Sequence, residues 1–236
     1  MKFIVNADDF GLSRAVNYGI VDAMSEGVVA TATMMMNMPG MNHAIELIHR
    51  HQLSNIGVHL VLTSGKPVTD APSLVDSSGQ FKLSNRYASE LSEKNTIDLD
   101  EVAAEWSAQI ERFADRAGRP HHLDSHHHIH MYEPLAPVVH HLAEKFDLPV
   151  RSGKQIGVKS VGDQFNDGFY KDAVSVDFFR KLYERHKHEP GTIEVMAHPA
   201  YIDATLKTYS SYQNERLSEY DVLTSQELLR SGWFLS

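Results

Sequence analysis

The 236-residue sequence predicts one α/β domain in which parallel strands alternate with helices. Short apolar runs alternate along the chain with stretches of helical periodicity, which is typical of βα units. A hydrophobic fraction of 42% over this length is enough for one large core, and no domain boundary or internal repeat is evident within residues 1–236. Polar residues also follow several apolar runs, as in parallel sheets and barrels whose strand ends bind ligands.

The first 62 residues alternate strand and helix signals. Ser13 is a favourable helix N-cap, Gly27 is suited to end that helix, and apolar residues between them recur at helical spacing. The methionines that follow Val28 fit a buried strand. The predicted elements are a strand over 3–7, a helix over 13–27, a strand over 28–36, a helix over 39–52 and a strand over 55–62.

Residues 63–97 lose this periodicity and are rich in Ser, Gly, Pro and charge. A loop of that length is usually functional or partly disordered, and we expect it to cover a substrate with Tyr87 as a stacking group. Trp106 and its neighbours then recur at helical spacing. The remaining expectations are a helix over 98–117, a histidine-rich strand over 121–130, a helix over 133–145, a strand over 148–151, irregular chain to 174, a helix over 176–187, a strand over 192–197, a polar linker and a helix over 226–230.

Composition excludes several classes of partner. The net charge is −9 and no basic block is present, which argues against binding of nucleic acid or an anionic membrane surface. The chain has no cysteine, so a metal must be held by nitrogen and oxygen atoms. The start of the chain becomes acidic too early for a signal peptide, and no apolar run is long enough to span a membrane. We expect a cytoplasmic protein, and a homodimer because two-fold assemblies are common.

Residues 121–130 contain six histidines and one aspartate. In a β-strand the side chains of Asp124, His126, His128 and His130 would share one face, while His127 would point into the packing on the other. Such a polar face is costly to bury unless something binds it, and neutral imidazole is a common metal ligand. The pattern therefore indicates metal chemistry, with His128, His130 and Asp124 contacting substrate or orienting the ligands.

Four predicted strands end in groups that could act together at one sheet edge: Asp8 with Asp9, His59, the histidine segment, and His198. One aspartate and two histidines are enough to hold a divalent ion, and our choice is Asp9, His59 and His126. Such a donor set suits zinc, manganese, iron or cobalt and, less comfortably, magnesium. Asp8 is then free to accept a proton.

Four segments, in chain order, carry a family resemblance: Asn6-Ala7-Asp8-Asp9-Phe10-Gly11, Gly57-Val58-His59-Leu60, the run from His122 to His130, and His198-Pro199. Together they resemble the YdjC family of carbohydrate deacetylases. The resemblance implies a deformed or incomplete (β/α) TIM-like barrel. It also implies a metal-dependent hydrolase that removes N-acetyl groups from sugars such as chitobiose and longer chitooligosaccharides.

The same resemblance implies a role for each residue. Asp9, His59 and His126 would bind the divalent ion, with Mg²⁺ or Zn²⁺ expected and Mn²⁺ or Co²⁺ as alternatives. Asp8 would be the general base and His198 the general acid. Arg151, which follows the predicted strand over 148–151, would orient Asp8.

Two other classes fit part of the pattern. His122 and Asp124 with a distant histidine match the two-histidine, one-carboxylate triad of iron oxygenases, although those enzymes commonly use jelly-roll sheets. A metal-binding or sugar-binding module without catalysis would explain the ligands but would leave Asp8 and His198 without a role.

Overall fold

The computed structural model describes residues 1–91 and 96–235. Six parallel strands form one sheet in the order β4-β3-β2-β1-β6-β5, and the sheet curls into an incomplete barrel. This confirms the predicted fold class. The strands are β1 (Lys2–Phe10), β2 (Val29–Met34), β3 (Ile56–Leu60), β4 (Leu123–Ser125), β5 (Gln164–Asn166) and β6 (Thr192–Ala197).

Helices lie along the sheet and at its ends. Ser13 accepts a hydrogen bond from the Val16 N–H, so the predicted N-cap is used, and Asp98 caps a second helix. None of the helices within the described ranges has the length and apolarity that crossing a membrane requires. The helices are α1 (Arg14–Glu26), α2 (Met41–His51), α3 (Ser84–Ser89), α4 (Leu99–Ala117), α5 (Ala136–Phe146), α6 (Val176–His186), α7 (Ala204–Tyr209), α8 (Asn214–Leu223) and α9 (Gln226–Ser231).

The barrel continues beyond β4 only through single-residue bridges. Val150 pairs in parallel with Leu123 on one side and with Ser160 on the other. The predicted strand over 148–151 is thus reduced to one bridging residue, but the Arg151 N–H still donates to the Leu123 carbonyl at 2.9 Å. Arg151 is therefore held beside the end of β4.

The histidine segment differs from the predicted ten-residue strand. Only Leu123–Ser125 is extended, and His126–Met131 form a 3₁₀ turn. His127 and His128 have φ angles of 56° and 51°, in the left-handed region that non-glycine residues rarely occupy. The predicted alternation of side chains between two faces was therefore wrong beyond Ser125, because the chain turns sharply where the strand was expected to continue.

Three irregular segments contain more structure than the sequence predicted. The loop over 63–97 includes a 3₁₀ turn and α3, and buried Glu105 accepts hydrogen bonds from the N–H groups of Val68 and Thr69; residues 92–95 of that loop lie outside the described ranges. Tyr87 is buried and donates to the Leu74 carbonyl, so its assignment as a stacking group was wrong. β5 lies in the stretch expected to be irregular, and α7 and α8 occupy the expected linker.

We predict that Gly19→Ala destabilises the protein, although alanine is favoured over glycine inside a helix by about 1 kcal/mol. A Cβ atom at Gly19 would lie 2.6 Å from the Ala200 Cα, so α1 would have to move away from the segment that follows His198. Overpacking of this kind costs about 1–3 kcal/mol. Chemical denaturation would measure the free energy of unfolding, and a variant as stable as the wild type would contradict the close contact.

Candidate functional site

A cavity of about 570 Å³ lies at the C-terminal ends of the strands. Its lining includes five predicted residues from four separate segments of the sequence: Asp8, Asp9, His59, His126 and His198. The cavity also contains His127 and His128 and four tyrosines. Ligands bind at this edge of parallel α/β folds because the loops after the strands converge there.

A β-bulge places both aspartates in the cavity. Ala7 pairs with Ala32 and Phe10 with Met34, so β1 uses one more residue than β2 between the two pairs. Asp9 accordingly has a φ angle of 69°. In a regular strand adjacent side chains would point to opposite faces, but the bulge turns Asp8 and Asp9 towards the same space.

The carboxylate of Asp9 lies against two imidazoles. Its Oδ1 atom is 3.3 Å from His59 Nε2 and 3.0 Å from His126 Nδ1. One donor atom from each residue lies within 4.8 Å of the others, which is a spacing that could hold a metal ion. Two imidazole nitrogens and one carboxylate oxygen fit zinc, manganese, iron or cobalt, with magnesium less favoured.

His59 is oriented from behind by Asp124. His59 Nδ1 lies 2.7 Å from Asp124 Oδ1, which leaves Nε2 facing Asp9. The Thr33 hydroxyl donates to Asp124 Oδ2 at 2.9 Å and so fixes the second carboxylate oxygen. Burial alone would lower the pKa of His59, but Asp124 and Asp9 raise it to about 10. Such a carboxylate behind a ligand histidine is the usual way a metal site fixes the ring.

A second group of donors, Asp8, His59 and Asp124, also lies within 4.8 Å. The guanidinium of Arg151 already fills this position, with Nη2 2.7 Å from Asp8 Oδ1 and 3.0 Å from Asp124 Oδ2. Because a cation cannot share that space, the group around Asp9 is the better candidate for a metal ion.

Arg151 forms a two-pronged contact with Asp8. Nη1 and Nη2 each donate to one carboxylate oxygen at 2.7 Å, and Asn6 donates to Oδ1 at 2.8 Å. Burial would raise the pKa of Asp8, but Arg151 outweighs it and holds the pKa below the usual value. Asp8 is therefore ionised at neutral pH. Arg151 Nε donates to Glu194 at 2.7 Å, which fixes the far side of the guanidinium.

His198 and Glu219 form a second polar pair. The His198 backbone N–H donates to Glu219 Oε2, and His198 Nδ1 lies 3.9 Å from Glu219 Oε1. The Tyr212 hydroxyl also donates to Glu219, at 2.6 Å. Burial lowers the pKa of His198 to about 4 and raises the pKa of Glu219 to about 8. Near neutral pH the Glu219 carboxyl group is therefore largely protonated and the His198 ring is neutral.

The other histidines of the segment occupy surroundings that differ from one another. His130 is buried, with Nδ1 2.5 Å from the Ser125 hydroxyl and Nε2 3.2 Å from the Arg151 carbonyl, so it supports Arg151 and does not face the cavity. His128 lines the cavity. His127 was expected in the packing but also lines the cavity, with Nδ1 2.9 Å from the Thr63 hydroxyl.

Sequence reasoning missed four residues of the site: Thr33, Glu194, Arg216 and Glu219. Arg216 and Glu219 come from α8, which was expected to be a linker, and Arg216 Nη2 donates to Asp9 Oδ2 at 2.6 Å. Glu194 lies between the apolar residues Ile193 and Val195 of strand β6 and is fully buried. A carboxylate inside an apolar strand was a visible signal, because buried charge requires a partner.

The iron-oxygenase alternative does not fit this arrangement. The sheet is parallel and flanked by helices, unlike a jelly roll. The backbone carbonyl and ring of His122 pack where Gly57 has no side chain, and His122 belongs to neither candidate metal group among the described residues. Asp124 is already engaged by His59, Thr33 and Arg151.

The fold is shared with a solved α/β enzyme of low sequence identity. The structure superposes on a CE4 esterase from Streptococcus mutans with a TM-score of 0.54 at 13% identity, covering 97% of this chain and 80% of the other. At that identity the likeness shows a common fold alone.

Sequence comparison gives the family. The model of YdjC-like proteins matches residues 2–231, and the chain belongs to this family. A carbohydrate deacetylase of Halalkalibacterium halodurans is 49% identical over 232 residues, covering 97% of each chain. A chitooligosaccharide deacetylase of Yersinia pestis is 42% identical over 236 residues, covering 95% of this chain and 91% of the relative. A solved Enterococcus faecalis protein, with suggested activity in cellobiose-phosphate cleavage, superposes with a TM-score of 0.87 at 35% identity, covering 97% and 92%.

We predict that Asp124→Asn weakens binding of Co²⁺ by about 10- to 100-fold, as loss of such a supporting carboxylate typically does. The cause is loss of the charge that fixes His59 with Nε2 facing Asp9. Isothermal titration calorimetry would measure the affinity, with circular dichroism to verify folding. Asp147→Asn is the matched control, since Asp147 is exposed and pairs with Arg119 and Lys159. Equal affinities in a folded variant would contradict the role of Asp124.

Proposed function

We propose that the protein is a metal-dependent hydrolase that removes N-acetyl groups from sugars such as chitobiose and chitooligosaccharides. The observation that carries the proposal is the placement of ionised Asp8 beside the Asp9, His59 and His126 group, with His198 in the same cavity. Amide hydrolysis needs a base for the attacking water, stabilisation of negative charge on the acetyl oxygen, and an acid for the departing nitrogen. The family membership and the names of the relatives agree with this chemistry.

Asp9, His59 and His126 would hold the divalent ion. The family resemblance leads us to expect Mg²⁺ or Zn²⁺, of which the donor set favours Zn²⁺, with Mn²⁺ or Co²⁺ as alternatives. When bound, the ion would polarise the acetyl carbonyl and lower the pKa of the attacking water. The donor set fits this role because Asp124 holds His59 with Nε2 facing Asp9, and one oxygen of Asp9 faces both imidazoles.

Asp8 takes the proton of the attacking water. Its two oxygens are held by Arg151, so the carboxylate approaches the cavity in one fixed orientation. His198 would give a proton to the nitrogen of the departing sugar, and Glu219, whose Oε1 lies 3.9 Å from His198 Nδ1, is the neighbouring group that holds a proton near neutral pH. Asp8 would therefore act in the base step and His198 in the acid step.

The sugar would lie among aromatic side chains. Tyr170 and Tyr212 stack at 4.3 Å between ring centroids, and Tyr132 and Tyr209 also line the cavity. Aromatic faces pack well against the apolar faces of sugar rings, and the hydroxyls of Ser210 and Ser211 could bind sugar hydroxyls. We propose His128 as a further contact to the substrate. The cytoplasmic location and the homodimer stay predictions.

The first experiment is acetate release from N,N′-diacetylchitobiose. Chelator-stripped protein should be inactive, and activity should return with one or more of Mg²⁺, Zn²⁺, Mn²⁺ and Co²⁺ added separately. The reason is that an ion held by Asp9, His59 and His126 would activate the acetyl carbonyl and the attacking water. Metal binding without acetate release from any N-acetylated sugar would favour the non-catalytic binding module.

Asp8→Asn should lower kcat by about 100- to 10,000-fold, the usual effect of losing a general base. Binding of Co²⁺ should persist, because Asp8 lies outside the Asp9, His59 and His126 group that we propose as ligands. Steady-state kinetics and calorimetry would measure the two effects, with Asp147→Asn as a control at an exposed site. Wild-type turnover in Asp8→Asn would remove Asp8 from the mechanism.

A further inference from the structure

The charges of the two buried arginines of the site, Arg151 and Arg216, are balanced by different numbers of carboxylates. Arg151 contacts three carboxylates, those of Asp8, Asp124 and Glu194. Arg216 is equally buried, with 2% of its surface exposed, but among the described residues its only carboxylate partner within 4 Å is Asp9. Most of the charge of Arg216 therefore acts on one oxygen of one proposed metal ligand.

The guanidinium of Arg216 is fixed in this position. Nε donates to the Tyr212 carbonyl at 2.9 Å, and Nη2 donates to Asp9 Oδ2 at 2.6 Å. Nη1 is buried and has no hydrogen-bond partner within the ranges that the structure describes. Leaving such a donor unpaired costs about 1–3 kcal/mol, so fold stability alone gives a poor account of this arginine.

The two oxygens of Asp9 are divided between opposite partners. Oδ2 accepts from Arg216, whereas Oδ1 faces His59 and His126. A cation at the proposed site can therefore take only one oxygen from Asp9, and the charge it receives is reduced by the guanidinium on the other. The positive charge of Arg216 also repels a divalent ion held on the same carboxylate.

We propose that Arg216 is a positioning residue that draws the negative charge of Asp9 away from the bound ion, which lowers affinity for the ion and leaves it a stronger Lewis acid. The inference rests on the proposed function and deepens it. The contact would therefore lower the affinity for the ion and raise turnover, because an ion that receives less negative charge from its ligands polarises the acetyl group more strongly.

Arg216→Gln removes the charge and keeps an amide that can donate to Asp9. We expect this variant to bind Co²⁺ at least about 10-fold more tightly than the wild type, since a repulsive charge next to the ion is gone. Its kcat on the N-acetylated sugar with saturating Co²⁺ should fall at least about 10-fold. Arg216→Lys keeps the charge beside Asp9 and should stay within about 3-fold of the wild type in both measurements.

Calorimetric titration with Co²⁺ gives the affinity, and acetate release gives kcat. Arg119→Gln is the matched control, because Arg119 pairs with exposed Asp147, and it should change neither value. A merely structural role predicts weaker Co²⁺ binding in Arg216→Gln, and that result would overturn the proposal, as would an unchanged kcat. If the wild type releases no acetate, the proposed function fails, while the affinity comparison still decides whether Arg216 weakens ion binding.

Discussion

The site depends on one buried guanidinium. Arg151 lies among Asp8, Asp124 and Glu194, all shielded from water, and moving each charge out of water costs several kcal/mol that only close pairing offsets. Through Asp8 the arginine fixes the proposed base, and through Asp124 it reaches His59 and the candidate metal ligands. The position of Arg151 beside the end of β4 therefore determines the geometry on both sides of the reaction centre.

Part of the backbone strain of the chain lies at the cavity. Asp9, His127 and His128 all have positive φ angles, although none is glycine, and such conformations cost about 1–3 kcal/mol each. Two of them are held by contacts with other segments: Arg216 binds Asp9, and the Thr63 hydroxyl contacts the His127 ring. The fold thus maintains a bulge and a tight turn that bring side chains from distant segments to one cavity.

Much of the fold could be predicted from the sequence because most strands are short, largely apolar runs buried in the core and most helices pack one apolar face. The strands β1, β2, β3 and β6 and the helices α1, α2 and α4 to α6 follow that rule. The helix α8 does not, since two of its three buried residues are Arg216 and Glu219, which read as solvent-exposed in a sequence. The histidine segment was misjudged for another reason. A period of two in residue type resembles a strand, and nothing in side-chain chemistry signals two successive left-handed residues.

The site residues that the sequence predicted and those that it missed are placed in the cavity by different features of the structure. Asp8, Asp9, His59 and His198 stand at the ends of strands, where chain direction alone places them at the ligand-binding edge. Arg216 and Glu219 are recognisable only when their partners are known, because each is buried through a charge or hydrogen-bond contact with another segment. Glu194 differs from them, because a carboxylate within a buried strand is a signal that the sequence already carries.

The buried carboxyl groups of the site outnumber its buried guanidinium groups. Five buried carboxyl groups, those of Asp8, Asp9, Asp124, Glu194 and Glu219, surround only two guanidinium groups. Burial raises the pKa of Glu194 to about 7 and of Glu219 to about 8, which reduces the excess without removing it. In the cavity the carboxylate of Asp9 lies against the imidazoles of His59 and His126, and the carboxylates around His59 raise its pKa to about 10, so this ring holds a proton that a cation would replace. A divalent cation is the partner that such a charge distribution favours.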